Sequence, residues 1–164
     1  NRVGTRTHQR SIGSKSTLKD LEKWVNTLIE TNDWGVGMTH GLTYGYDAFR
    51  NPQRLWDHLD QVKARENEIW VGTFREVVSY IKEREETKLE VVNKKNTLLI
   101  TPELKLDQEL FVEPLTMVIT GKEIKKVTVK QGKRKLPVQI TDDKVLFDFD
   151  PYGGMIKVTL KIQK

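Results

Sequence analysis

The spacing of apolar residues changes character near Thr87, and that change restricts the fold more than any other feature of the chain. Before it, apolar residues recur at helical spacing in three stretches, with short apolar runs between them. Leu18, Leu21, Val25, Leu28 and Ile29 predict a helix ending near Thr31, capped by Ser16 or Thr17, whose hydroxyl can accept from free N–H groups of the first turn. Residues 34–39 (W-G-V-G-M-T) predict a short strand buried on both faces. Pro52 can open a second helix, carrying Leu55, Trp56, Leu59 and Val62. Residues 69–73 (I-W-V-G-T) predict a second strand, and Val77, Val78, Tyr80 and Ile81 mark a last helix over 74–86. Residues 1–16 have no periodicity and read as a loop.

Helix and strand in alternation imply parallel strands joined by crossover helices. Two such strands alone would leave faces uncovered and edges unpaired. The expectation is therefore that residues 1–86 are part of a larger α/β unit, with further strand–helix units preceding Asn1 or pairing from another chain. After Thr87, residues 89–92, 97–101, 110–112, 116–120, 125–131, 135–140, 144–149 and 155–162 read as short strands separated by turn residues. That rhythm predicts a β-sandwich over 87–164.

Charge and aromatic content divide at the same place. Residues 1–86 hold 13 Lys+Arg against 13 Asp+Glu, while 87–164 hold 15 against 10, so the whole net charge of +5 lies in the second part. All four tryptophans lie in the first. Cysteine is absent, which excludes disulfides and thiol chemistry and leaves the compartment open. No apolar run approaches the length of a membrane span.

Three segments of the first part carry a likeness. The run W-G-V-G-M-T-H-G-L-T-Y-G-Y-D-A-F, then P-Q-R-L-W-D-H-L-D-Q-V, then E-I-W-V-G-T-F-R-E-V-V-S-Y-I-K-E-R resembles the end of polysaccharide deacetylases, the family 4 carbohydrate esterases, in their Bacteroidetes-type branch. The resemblance covers roughly the first half of the chain. It implies the C-terminal units of an incomplete (β/α)7 barrel, after which the strand rhythm of 87–164 places a small Ig-like β-sandwich. It implies hydrolysis of acetyl groups from an acetylated polysaccharide or oligosaccharide, a divalent metal (zinc) in the complete enzyme, and a secreted or cell-envelope location.

The same resemblance implies what this chain lacks. The family's paired aspartates and its two histidines one helical turn apart are both missing, and His8, His40 and His58 form no His-x-x-x-His. The expectation is that this chain alone binds no metal. Its partner would be the N-terminal half of the barrel, in cis or as a second chain. The start around Arg2 also resembles a family segment bearing an arginine that orients the catalytic aspartate; neither Arg2 nor Arg6 is assigned that role.

His40 is the catalytic candidate. It follows the strand at 34–39, and the end of a barrel strand faces the active site. The resemblance implies a general acid there, a task suited to imidazole. Tyr44, Tyr46 and Phe49 follow on a Gly/Tyr-rich loop. They read either as faces for sugar rings, with Tyr44 and Tyr46 as the substrate-binding candidates, or as packing against the domain's own surface. His58 reads as facing solvent or a neighbour, and His8 receives no role. The lysine-rich segment 122–135 reads as the solvent face of a hairpin, with an anionic glycan as the alternative. No aromatics interleave its charges, which disfavours nucleic acid.

Two other readings stay open. The β-region could be a non-catalytic module that binds a glycan or a protein, or it could do no more than support the barrel.

Overall fold

A computed structural model describes residues 7–121, 124–141 and 143–162. The chain divides into two compact units, 1–74 and 75–164. Arg2 and Arg6 lie outside the described residues.

In the first unit, β1 (Thr7–Ser11), α1 (Leu18–Thr31) and β2 (Trp34–Met38) form a β–α–β unit, followed by α2 (Gln53–Lys63). The strands pair in parallel, from Thr7 opposite Trp34 to Ser11 opposite Met38, and the Ile12 N–H continues the ladder by donating to the Met38 carbonyl at 2.8 Å. β1 falls inside the stretch expected to be a loop. Its sequence T-H-Q-R-S has no apolar member, so nothing but backbone pairing to β2 marks it as a strand.

α1 begins as its sequence specifies. The Thr17 hydroxyl accepts from the Asp20 N–H, and the Asp20 carboxylate accepts from the Thr17 N–H, a reciprocal cap. The Thr17 hydroxyl also donates to the Asp20 carboxylate, and this bond first, with that from the Thr17 N–H second, holds the Asp20 carboxyl below the usual aspartate range. The helix ends at Asn32 in the left-handed region (φ 54°). Leu21 is buried in a small core with Ile12 and Phe49, against which Leu55 packs. Gly35 lets α1 lie close on β2: a Cβ there would stand 2.2 Å from Leu28 Cδ1.

Residues 69–73, expected as a second strand, are irregular, and Trp70 and Val71 are exposed. Composition gave them the look of a buried strand. A strand also needs a ladder, and no sheet of the described residues includes them. No barrel is closed among the described residues.

The second unit contains α3 (Phe74–Glu86) from Arg75 onward, then β3 (Lys88–Lys94), β4 (Thr97–Glu103), β5 (Leu115–Thr120), β6 (Ile124–Gln131), β7 (Arg134–Leu136), β8 (Gln139–Thr141), β9 (Lys144–Phe149) and β10 (Ile156–Ile162). They make a five-stranded antiparallel sheet, β3-β4-β10-β6-β7, and a three-stranded one, β5-β9-β8. One apolar core lies between them: Ile100, Val129, Leu136, Ile156 and Val158 from the larger sheet meet Leu115, Val145, Phe147 and Phe149 from the smaller. Tyr80 of α3 packs against this core.

Two strand expectations fail here for local reasons. Residues 110–112 are not a strand: the Asp107 carbonyl accepts from the N–H groups of Leu110 and Phe111, and the Asp107 carboxylate from that of Glu109, which curls the chain. Residues 135–140 are two strands, because Pro137 has no N–H to give a ladder and the chain changes sheet there.

Candidate functional site

In an open parallel sheet, ligands gather at the C-terminal ends of the strands, where the connecting loops are free to carry chemistry. In the first unit those ends are Ser11 of β1 and Met38 of β2. The loops leaving them, residues 12–16 and 39–52, touch closely. Asp47 of the second loop accepts from the Ser14 hydroxyl at 2.6 Å and from the Ser14 N–H at 3.1 Å. Gly13 lies directly against the Asp47 backbone; a Cβ at Gly13 would stand 2.0 Å from the Asp47 carbonyl oxygen. Arg54 of α2 donates through Nη1 to the Ser14 and Ser16 carbonyls at 3.1 and 2.9 Å, holding the first loop from its other side.

His40 stands two residues past the end of β2 and is exposed. Its ring meets that of Tyr46 edge to face, centroids 5.4 Å apart at 82°. The Thr39 hydroxyl donates to the Gly41 carbonyl at 3.2 Å, and the Phe49 N–H donates to the same oxygen at 3.3 Å, closing the loop on itself. Ala48 and Phe49 are fully buried and anchor the loop in the core. Phe49 is therefore not a face for a sugar. Tyr44 and Tyr46 are 84% and 83% exposed.

Asp47 is the member that the sequence did not single out. Its carboxyl is held below the usual aspartate range, first by the Ser14 hydrogen bond and further by the nearby His40 and Lys15. It sits at φ 48°, a region that aspartate tolerates better than most residues. The Y-G-Y-D run carries the turn residues that such a loop needs, but pairing with Ser14, 33 residues away, has no sequence signal.

The other histidines lie apart. His8 Nε2 is 2.8 Å from the Asp33 carboxylate, an ion pair when the ring is protonated. His58 is buried in α2, 6% exposed, which excludes solvent from the two surroundings expected for it, solvent or a neighbour. The sequence placed it between Trp56 and Leu59, and those two are the exposed ones.

Among the described residues, no group of three or more His, Cys, Asp or Glu side chains is placed to hold a metal ion. The described residues thus offer no ligand set for the divalent metal that the sequence resemblance implies in the complete enzyme. Among the described residues, no helix is long and apolar enough to cross a membrane. In the second unit, a cleft of about 680 Å³ is lined by Thr116, Arg134, Gln139, Asp148 and Asp150 beside Phe147 and Phe149.

No family model and no curated protein matches this chain. Among solved structures, it is similar to the crystal structure of the α-fucosidase of Thermotoga maritima, with a TM-score of 0.30 and 10% identity. The match covers 93% of this chain and 39% of that one, a likeness too loose to argue fold or chemistry.

Proposed function

We propose that this chain is the C-terminal part of a polysaccharide deacetylase, with residues 1–86 completing a (β/α)7 barrel and the Ig-like β-sandwich appended to it. The observation that carries the reading is the position of His40. An exposed imidazole follows the C-terminal end of a parallel strand, edge to face with exposed Tyr46 and on the same loop as exposed Tyr44. The motif run around it, with the segments ending at Arg84, supplies the substrate class.

Deacetylation is a hydrolysis. Water adds to the acetyl carbonyl, the bond to the sugar nitrogen or oxygen breaks, and the departing amine or alkoxide needs a proton. His40 as an imidazolium supplies it. Tyr44 and Tyr46 offer rings for the sugar to stack on. The metal of such enzymes has no ligand set among the described residues here, so the proposal places its ligands on the N-terminal half of the barrel, in cis or on a second chain, and the enzyme at the cell envelope or outside the cell.

The test is acetate release from acetylated oligosaccharides by this chain together with a segment bearing the paired aspartates and His-x-x-x-His. His40→Ala should lower kcat by roughly 100-fold or more at unchanged thermal stability. A complete enzyme that releases no acetate, or one indifferent to His40→Ala, refutes the reading.

The cleft in the second unit favours a second reading, a non-catalytic module that binds a glycan or a protein segment. It joins polar side chains to an apolar floor, as binding clefts do. Loss of glycan affinity in Arg134→Ala, with acetate release unchanged, would support it.

A further inference from the structure

The outer face of the five-stranded sheet carries an arrangement of charge that folding does not require. Along β6, Val129 points into the core, while Lys126, Thr128 and Lys130 take the opposite face. The same alternation puts Lys135 of β7 and Lys157 of β10 on that face. The register then aligns them. Lys130 stands opposite Lys157 on one side and Lys135 on the other, so three lysines form one row across three strands. Beside this row runs a second: Thr128 opposite Thr159, Thr159 opposite Thr97, and Thr97 opposite Lys94. All five lysines are exposed, and the ion pairs among the described residues involve none of them.

Directly opposed like charges destabilise a sheet, whereas opposed unlike charges support it. The far edge of this face follows the favourable rule, with Lys88 opposite Glu103. The β7-β6-β10 side breaks it twice within a single row. A face that merely needed solvating would have mixed signs on both sides. Neighbouring strands lie about 4.8 Å apart, so the three ammonium groups form a strip on the order of 10 Å wide, with Lys126 about 13 Å along from Lys130.

We infer that this face binds a linear anionic polysaccharide, one bearing carboxylates or sulfates on its sugars. The lysine row would take the charges, and the adjoining threonine row would meet hydroxyls. Its described lysine and threonine rows contain no aromatic on which a base could stack, which disfavours nucleic acid. The whole net positive charge of the chain lies in residues 87–164, so the overall field draws a polyanion to this part of the molecule. The inference does not depend on His40 or on deacetylation.

The test measures binding of the full chain to two probes, heparin and unesterified polygalacturonate, at about 150 mM salt, where contacts beyond a Debye length are screened. Duplex DNA and phosphatidylserine vesicles serve as competitors. Lys130→Gln with Lys157→Gln should weaken binding to at least one polysaccharide by roughly tenfold or more and flatten its salt dependence. Thermal stability should stay equal or rise, because a like-charge row has been relieved. Lys19→Gln with Lys23→Gln, which removes the same net charge from the first unit, should leave affinity within about twofold. The inference is overturned by equal losses in the two double variants, by absence of binding to both polysaccharides, or by tighter binding to DNA or vesicles.

Discussion

The Ser14 hydroxyl donates to the Asp47 carboxylate at 2.6 Å, and this contact joins the loops that leave the two parallel strands. His40 lies on one of those loops, so its placement depends on a bond made seven residues further on. Asp47→Ala should raise the exchange rate of the Ser14 amide, whose N–H donates to the same carboxylate, by several-fold. Asp47→Asn keeps an acceptor oxygen and should retain most of the protection. The pH dependence follows from the lowered pKa of Asp47. A carboxyl depressed in the folded state contributes fully above its ordinary range, and that contribution is lost as pH falls through the lowered value. Protection of the Ser14 amide should therefore hold from neutrality down to the ordinary aspartate range and fail below it. Hydrogen exchange resolved at this amide reads both effects.

The approach of these loops leaves no room for a side chain at Gly13, where a Cβ would stand 2.0 Å from the Asp47 carbonyl oxygen. The obstacle is backbone, which cannot rotate aside. Gly13→Ala should destabilise the first unit by about 1–3 kcal/mol, the usual cost of overpacking. In thermal unfolding, Gly13→Ala and Asp47→Ala should fall short of additivity, because each already parts the same two loops.

What the sequence disclosed and what it hid divide along a physical line. α1, α2 and α3 were legible because an amphipathic helix writes its own period, and the strands β3 to β6, β9 and β10 were legible from alternation and turn residues. β1 was hidden because T-H-Q-R-S has no apolar residue and is a strand through its partner alone. Residues 69–73 show the converse, an apolar run that forms no ladder among the described residues. At the candidate site, His40 and the tyrosines stood out by residue type and by resemblance. Asp47 did not, because its partner Ser14 is brought to it by the fold. Of the lysine row, the segment 122–135 stood out by composition, but its join to Lys157 did not: Lys130 and Lys157 are neighbours through strand register, which no local pattern records.

His58 should make the first unit sensitive to mild acid. It is buried, and burial pushes its pKa below the ordinary histidine value because the charged ring would lose its hydration. Its Nδ1 has no hydrogen-bond partner among the described residues, so no neighbour there offsets that loss. For a base with a depressed folded pKa, the stability contribution is complete above the unfolded value of 6.5 and is lost as pH falls toward the lowered one. His58→Leu should therefore flatten the decline of Tm between about pH 7 and pH 5. An unchanged acid limb in the Leu variant would show that another group governs it.

Glu83 predicts the opposite slope for the second unit. Its side chain is fully buried; one oxygen accepts from the Glu113 N–H at 3.0 Å, while the other has no partner among the described residues. Burial raises its pKa, and the charges of Glu113 and Asp150 raise it further, against the Glu113 hydrogen bond. A carboxyl raised in the folded state contributes stability below its ordinary value of 4.5, and that contribution is lost as pH climbs through the raised value. Glu83→Gln keeps an acceptor for Glu113 and removes the anion. It should raise Tm at pH 8, by a stability gain on the order of 1 kcal/mol, and the gain should shrink toward pH 5. Glu83→Ala removes the acceptor as well, leaving the Glu113 N–H unsatisfied, and should lie below Glu83→Gln at every pH. Thermal unfolding of the three proteins from pH 5 to pH 8 separates the cases: a Gln variant less stable than the parent at pH 8 would mean that the buried carboxylate is stabilised by a contact outside the described residues.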